Sequence, residues 1–471
     1  MDNRRFSKEA NIHYTYPSVE QLVEKTDDLL KFIVHHENEQ CPRLRELKDY
    51  HEGNNTRILK GRRRKEDHLA DHRSVNSFAA YIVDFIQGFI VGIPIKTEYS
   101  NSIKINNLLK DINRTNDADE HNSNLVLDQS IYGRAYELLY RSQNDKTRFT
   151  ISDVLQTFVI YDDTVEMTPL AGVRYFVNQF KDNEKTVYLY TDKNIYKYVV
   201  DENGKLSEKE TKTHAFNGVP IIEYENNRFR LGDFERVLNL IDLYDEAQSD
   251  TANYMTDLND ALLLIKGRLG LEEEDPIEVA KQMRDANLLY MEPPEFGEGK
   301  EGVIDAKYLY KQYDVQGTEA YKDRVKNDIH MFTYTPNLDD NKFAGNKTGE
   351  ALKYKLFGLE QKRAIKERLF KKSLRNRYRL INNLGNAASE GEFDVNEIKI
   401  TFTPNLPKSI KDEIDAFVAL GGELSEQTKL SLLSTVVENP LEEIERKRQE
   451  GQRDRPTYDF ERGRNEVNDD E

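Results

Sequence analysis

The stretch Lys347–Leu384, KTGEALKYKLFGLEQKRAIKERLFKKSLRNRYRLINNL, is the longest uninterrupted helical pattern in the chain. From Gly349 to Leu384 it carries Lys353, Lys355, Lys362, Arg363, Lys366, Arg368, Lys371, Lys372, Arg375, Arg377 and Arg379 against three Glu, a local charge of +8. The whole chain carries −17, so the rest carries −25. Gly385, preceded by Asn382 and Asn383, reads as the stop of a helix that would be about 54 Å long. An acidic protein that loads one long helix with cations needs partners for them. Three are open: acidic groups of a neighbouring chain, nucleic-acid phosphates, or water around a solvated face.

Upstream of the helix lies a polar, turn-rich loop, TPNLDDNKFAGNKTGEAL. Before it, GTEAYKDRVKNDIHMFTY (317–334) reads as a helix. Its counterpart is GDFERVLNLIDLYDEAQSDTANYMTDLND, with a candidate cap at Asp233 and an apolar stripe at Val237, Leu238, Ile241, Tyr244 and Ala247. Between these two helices the strand-like runs ALLLIKGRLG and NLLYMEPPEF and a helix at 276–285 make a small α/β insertion of about sixty residues. Residues 134–228 switch to a period of two, in short aromatic and β-branched runs separated by Asn, Asp and Gly turns, which predicts an antiparallel β region. Residues 17–50 and 105–133 read as helices. SFAAYIVDFIQGFIVGIPI (77–95) is interrupted by Asp84 and Gln87 and closed by Gly88, Gly92 and Pro94. A membrane span needs about 20 clean apolar residues, so this is a buried helix, followed by a strand at IKTEYS. After the basic helix, EIKITFTPNLP reads as a strand and SIKDEIDAFVAL, SEQTKLSLLSTV and PLEEIERKRQE as helices. The last twenty residues lack an apolar pattern, and disorder is expected there.

The 471 residues have room for two to four domains, and 32% are charged against 37% hydrophobic, which predicts an elongated or assembled protein with much polar surface; the helical and strand patterns together give an α+β class. The 26 Tyr and 21 Phe argue against wholesale disorder. One cysteine, Cys41, excludes an internal disulfide and suits a reducing cytoplasm. The N-terminal MDNRRFSKEANIHYTY has no apolar core, so no signal peptide is expected there.

Motifs for chemistry are missing. AGNKTGE (344–350) resembles the end of a phosphate-binding loop but lacks its first Gly and its preceding strand. Asp111, Asn113 and Thr115 alternate like calcium ligands, yet Asn116 replaces the required Gly and Asn122 the bidentate Glu. EGNNTRILKGRRRKEDH (52–68) reads as a solvated connector rather than a phosphate site. His35–His36 lacks the zinc-protease register, Cys41 has no activating neighbour in sequence, and Asp162–Asp163 sits in a turn. No enzyme, metal or cofactor is expected.

YHEGNN (50–55), NSFAAYIVDFIQGFIVGIPI (76–95), GDFERVLNLIDLYDEAQSDTAN (232–253), the insertion, the returning helix, TGEALKYKLFGLEQKRAIKERLFKKSL and ITFTPNLP together closely resemble, in order and spacing, the portal proteins of long-tailed bacteriophages of Gram-positive hosts. The resemblance spans roughly residues 20–445. It implies an elongated multi-domain fold of wing, stem, clip and crown. By position the wing is 1–232, the stem helices are 233–256 and 317–334, and the clip is 257–316. A tunnel loop at 335–348 then projects into the channel, the basic helix (349–384) links wing and crown, 385–450 builds the crown, and 451–471 is a disordered tail.

The same resemblance implies a ring of about twelve subunits (thirteen when assembled in isolation) at one capsid vertex of the virion, assembled in the host cytoplasm, through which double-stranded DNA passes. Terminase large subunit, head-tail connector, scaffold and major capsid protein are the implied partners, and no membrane is involved. Candidate channel residues are Asn337, Asp339, Asp340, Lys342, Phe343, Asn346, Lys347 and Thr348 in the tunnel loop, with Lys322, Arg324 and Lys326 in the stem. The cations of the basic helix are candidates for inter-subunit or DNA contact. A mostly acidic wall would let duplex DNA slide, because each phosphate neutralised by a basic residue strengthens binding. Three rivals stay open: a monomeric nucleic-acid-binding protein using the 353–379 stripe, a metal-dependent nuclease with dispersed acids, and another structural ring such as a connector.

Overall fold

The computed structural model describes residues 4–60, 70–180, 184–201, 204–259, 262–266, 288–291, 305–309, 314–337, 356–387, 392–405, 424–433 and 440–453, with isolated positions between. Two compact units result, Met1–Asn405 and Leu406–Glu471.

The first unit opens with a short strand, β1 (Tyr14–Tyr16), and helices α1 (Val19–Glu24), α2 (Thr26–His35) and α3 (Cys41–His51), the last two joined by a π-helical turn at His36–Gln40. Ser18 caps α1 by accepting from the Gln21 backbone N–H. After α4 (Thr56–Leu59) comes the expected apolar helix, α5 (Phe78–Val91), with Ala79, Ile82, Val83, Ile86, Phe89 and Ile90 buried. Strand β2 (Lys96–Glu98) and helices α6 (Ile103–Thr115) and α7 (Ala118–Tyr132) lead into the β region.

That region contains β3 (Arg134–Arg141), β4 (Thr147–Ser152), β5 (Thr157–Asp162), β6 (Pro169–Asn178), β7 (Glu184–Tyr190), β8 (Asn194–Val200), β9 (Leu206–Thr213) and β10 (Ile221–Glu225). They form two sheets, ordered β1-β5-β6-β7-β8-β9 and β10-β3-β4. Every pairing is antiparallel except β1 with β5, which is parallel. Strand β1 lies just before the helical pattern of residues 17–50, and its three residues are too few to show a period in sequence. One face of the larger sheet buries Phe158, Ile160, Val173, Val187, Leu189 and Tyr198 against Tyr14 of β1 and Leu22, Leu29 and Ile33 of α1 and α2.

A 3-10 turn at Glu235–Val237 starts α8 (Leu238–Asn259), and α9 (Val315–Thr333) returns against it. Between them in sequence, β11 (Leu262–Lys266) pairs parallel with β12 (Leu288–Met291) and antiparallel with β13 (Asp305–Leu309). The helix expected at 276–285 lies almost wholly outside the described residues. The basic helix, α10, runs Phe357–Ala387, about 46 Å at 1.5 Å per residue. It passes through Gly385 instead of stopping there, and residues 349–355 lie outside the described residues. Strand β14 (Lys399–Thr401) pairs with β2, and the Asn405 N–H then donates to the Phe89 carbonyl at the end of α5 at 3.0 Å. A Cβ on Gly92 would come within 2.6 Å of the Asn405 side-chain amide, so the GIPI and TPNLP segments need that glycine to meet.

In the second unit Ser425 caps α11 (Glu426–Leu432), and Lys447 of α12 (Pro440–Arg453) reaches Glu426 at 2.5 Å. Helix α12 runs past the expected limit at 450, and SIKDEIDAFVAL falls almost wholly outside the described residues, as does the tail beyond Arg453.

Gly133 ends α7 at φ 82°, a left-handed conformation, and a Cβ there would collide with the Arg230 carbonyl. Gly133→Ala is expected to cost more than about 2 kcal/mol, the strain of φ > 0 plus the clash. Urea unfolding with a lower midpoint and unchanged slope checks it; an unchanged midpoint contradicts it.

Candidate functional site

Helix α8 is where distant parts of the chain meet. Its apolar stripe buries Val237, Leu238 and Ile241 as expected, while a second buried stripe is polar: Asp245, Ser249 and Asn253, each four residues apart and therefore stacked along one face. These side chains hold the extended segment before α5. The backbone N–H of His72 donates to Asn253 at 2.5 Å, that of Ser74 to Ser249 Oγ at 2.9 Å, and that of Asn76 to Asp245 Oδ1 at 2.9 Å. Asn55 donates to both Asp242 and Asp245 at 3.0 Å, and the Tyr50 hydroxyl donates to Asp242. Two residues of the YHEGNN motif, Tyr50 and Asn55, thus bind Asp242 and Asp245 of the DLYDEAQSDTAN stretch. Arg43 of α3, buried, grips Glu235 with two N–H groups at 2.6 and 2.7 Å. Burial raises the Asp245 carboxyl, opposed by its bonds from Asn76 and Asn55.

Helix α10 is fastened by buried charge. The Asp233 carboxylate lies 3.0 Å from both Lys362 and Lys366, and Asn226 donates to it at 3.0 Å. Lys366 also donates to Ser130 Oγ of α7 at 2.5 Å. Asp233 is therefore the partner of α10 and does not cap α8; the 3-10 turn begins beyond it, and Glu235 takes the Gly232 N–H at 2.9 Å. Further along, Arg377 meets Glu137 of β3 through two contacts of 2.9 and 2.6 Å and lies 4.4 Å from the centre of the Phe149 ring. His121 and Tyr224 complete the Glu137 shell at 2.7 and 2.9 Å. Lys362, Lys366, Phe370, Ser373 and Arg377 succeed one another by three or four residues, which puts them on one inward face.

Burial favours the neutral forms of these groups. For Glu137, burial pushes the carboxyl up, and the Arg377 charge and the His121 bond overcome it, leaving it at about 2. For Asp233 the two lysines outweigh burial and hold it well below the carboxylate range. Burial lowers Lys366, against the pull of Asp233. Burial also raises the Cys41 thiol, so it is no thiolate.

The expected site residues separate into distinct groups. Arg363 pairs with Glu360 and Glu367 at 2.9 and 2.5 Å, and Lys371 pairs with Glu367 at 2.5 Å. Arg368, Lys372, Arg375 and Arg379 form the outward face of α10, are exposed, and take no ion pair among the described residues. Lys322 is buried between α9 and α8, 2.5 Å from Glu319 and 3.1 Å from Gln248. Arg324 is exposed and pairs with Asp328 at 3.1 Å, and Lys326 is half-buried. Asn337 is half-buried beside Asn327; Asp339, Asp340, Lys342, Phe343, Asn346, Lys347, Thr348, Lys353 and Lys355 lie outside the described residues. Among the described residues no cluster of His, Cys, Asp and Glu is arranged to hold a metal, and no helix is long and apolar enough to cross a membrane.

The sequence model of the phage portal protein family, SPP1 Gp6-like, matches residues 30–457, and the chain belongs to that family. The portal protein of Clostridium phage phiCD119 is 24% identical over 394 residues, covering 79% of this chain and 84% of its relative. That of Bacillus phage SPP1 is 22% identical over 406 residues, covering 82% and 77%. A solved neck of an empty GTA particle is 12% identical, covers 76% of this chain and 90% of its own, and has a TM-score of 0.40.

Replacing Arg377 with Met strands a buried carboxylate and is expected to cost about 3–5 kcal/mol, whereas adding Glu137→Gln recovers part of it. Chemical unfolding of the single and double variants checks this, and an additive double variant contradicts it. The Glu137 carboxyl has its ordinary value of 4.5 when unfolded and about 2 when folded. Its stabilisation is thus complete above pH 4.5 and lost as pH falls towards 2. Glu137→Gln should flatten the acid limb of a stability-versus-pH curve; an identical limb in the variant counts against the assignment.

Proposed function

We propose that this chain is the subunit of a ring at one vertex of a phage capsid, a non-enzymatic conduit through which double-stranded DNA is packaged and later ejected. The observation that carries the reading is the family match across residues 30–457, which takes in the β region, the α8–α9 pair, the insertion between them and α10. In this reading residues 1–232 are the wing, 233–256 and 317–334 the stem, 257–316 the clip and 335–348 the tunnel loop. Helix α10 is the strut from wing towards a crown at 385–450. The clip receives terminase, whose motor would hydrolyse the packaging ATP, and afterwards the head-tail connector. Scaffold and major capsid protein meet the wing. Assembly takes place in the host cytoplasm, and the product belongs to the virion.

Physical reasons support this assignment. A conduit under load needs levels that do not shear past one another. Two buried charge nodes on α10 and a polar stripe on α8 provide such rigidity within one subunit. The tunnel-loop residues and the exposed Arg324 are the proposed points of DNA contact, few enough to avoid a brake.

Light scattering of the purified protein, followed by end-on imaging, tests the reading. The expected result is a particle of about twelve chains with a hole wide enough for duplex DNA. A compact particle without a central hole overturns it.

A further inference from the structure

Helix α9 ends on a turn in which Tyr334 sits at φ 61° and ψ 20°, and the Thr335 N–H reaches back to the His330 carbonyl at 3.1 Å. Glycine is the usual residue at such a turn, because a Cβ is strained in the left-handed region. Burial does not explain the tyrosine, since it is 57% exposed. What it touches is Gly358, the second residue of α10. A Cβ on Gly358 would lie 2.6 Å from Cδ1 of Tyr334, so the ring rests on bare backbone. Gly358 itself has no left-handed φ and stands in a helical turn, where alanine is the better helix former. Tyrosine thus occupies a place that favours glycine, and glycine a place that favours a side chain. Each choice is poor alone, and together they make one contact.

Three further ties meet at this junction. Lys362 lies four residues beyond Gly358 and so on the same face; it donates to the Thr333 carbonyl at 3.4 Å and pairs with Asp233. The Tyr81 hydroxyl of α5 donates to the Pro336 carbonyl at 2.7 Å. Thr333 and Thr335 are buried with their hydroxyls 2.8 Å apart, and Thr335 Oγ1 lies 3.2 Å from His330 Nδ1. The chain therefore leaves α9 and enters α10 at one place.

We propose that Tyr334 and Gly358 form a clasp that holds the end of α9 to the start of α10, and that this clasp is the releasable tie of the junction. Its one side is a strained backbone under a ring half open to water. The neighbouring tie is a buried charge node of Asp233, Lys362 and Lys366, which stays closed. Tyr334 is a positioning residue, acting on the path of the chain. The clasp does not depend on the ring reading: it is a property of a single chain, and its failure leaves that reading untouched.

A cycle of variants tests it, read by urea unfolding at one protein concentration and by native-state hydrogen exchange. Alone, Gly358→Ala drives a methyl group into the ring and should lower the folding constant about tenfold. Tyr334→Gly keeps the turn, because glycine takes it without strain. In that background the ring is gone, and Gly358→Ala should instead raise the folding constant about two- to fivefold, the ordinary advantage of alanine over glycine in a helix. In the wild type, the amides of Tyr334 and Thr335 should exchange through local opening, about tenfold faster or more than those from Lys366 to Arg377. A Gly358→Ala effect of the same sign in both backgrounds, failure to fold in both included, overturns the clasp. Exchange of the Tyr334 and Thr335 amides only through global unfolding overturns its release.

Discussion

A buried charge must be paired, and that constraint organises this protein. Lys366 and Arg377 are almost fully buried on a helix otherwise rich in exposed cations. Taking either from water costs several kcal/mol unless a carboxylate and further donors or acceptors meet it. Asp233 and Glu137 do so from the entry of α8 and from β3. The helix can therefore sit in one register only, because a shift of one residue would carry both cations away from their partners. Packing supports the same register: Phe370, Leu374, Tyr378 and Ile381 are buried along α10.

The same logic recurs at α8, where hydrogen bonds replace ion pairs. Three small polar side chains on one face satisfy the backbone of an extended segment that has no strand to pair with. The motifs YHEGNN, SVNSFAAYIVDF and LYDEAQSDTAN are distant in sequence and meet here. Their polar residues are internal connectors. These bonds tie α8 to Tyr50 of α3, to Asn55 and to the segment that leads into α5 within one chain.

Much of this was legible from local pattern. The alternation of residues 134–228 marked the β region, the interrupted apolar run marked α5 as buried, and Lys347–Leu384 marked the long helix. Pairings across the chain were not legible. Arg377 and Glu137 are 240 residues apart, and Lys366 and Asp233 are 133 apart. A helical wheel shows that cations at 362, 366 and 377 share a face with Phe370, yet nothing local says that carboxylates await them. The eleven cations looked like one basic surface, while the fold divides the nine that are described by direction. Asp233 looked like a helix cap because Asp commonly caps, and the demand of two lysines overrode that preference. Of the channel candidates, those at 339–348 lie outside the described residues.

The central claim is that α10 is a strut fixed from within its own subunit. Native-state hydrogen exchange along Phe357–Ala387 tests it most directly. If the buried pairs fasten the helix, amides from Lys366 to Arg377 should exchange only through global unfolding, with protection equal to that of the β5–β6 core. Exchange through local opening in that stretch, at the rate of an ordinary exposed helix, would contradict the account.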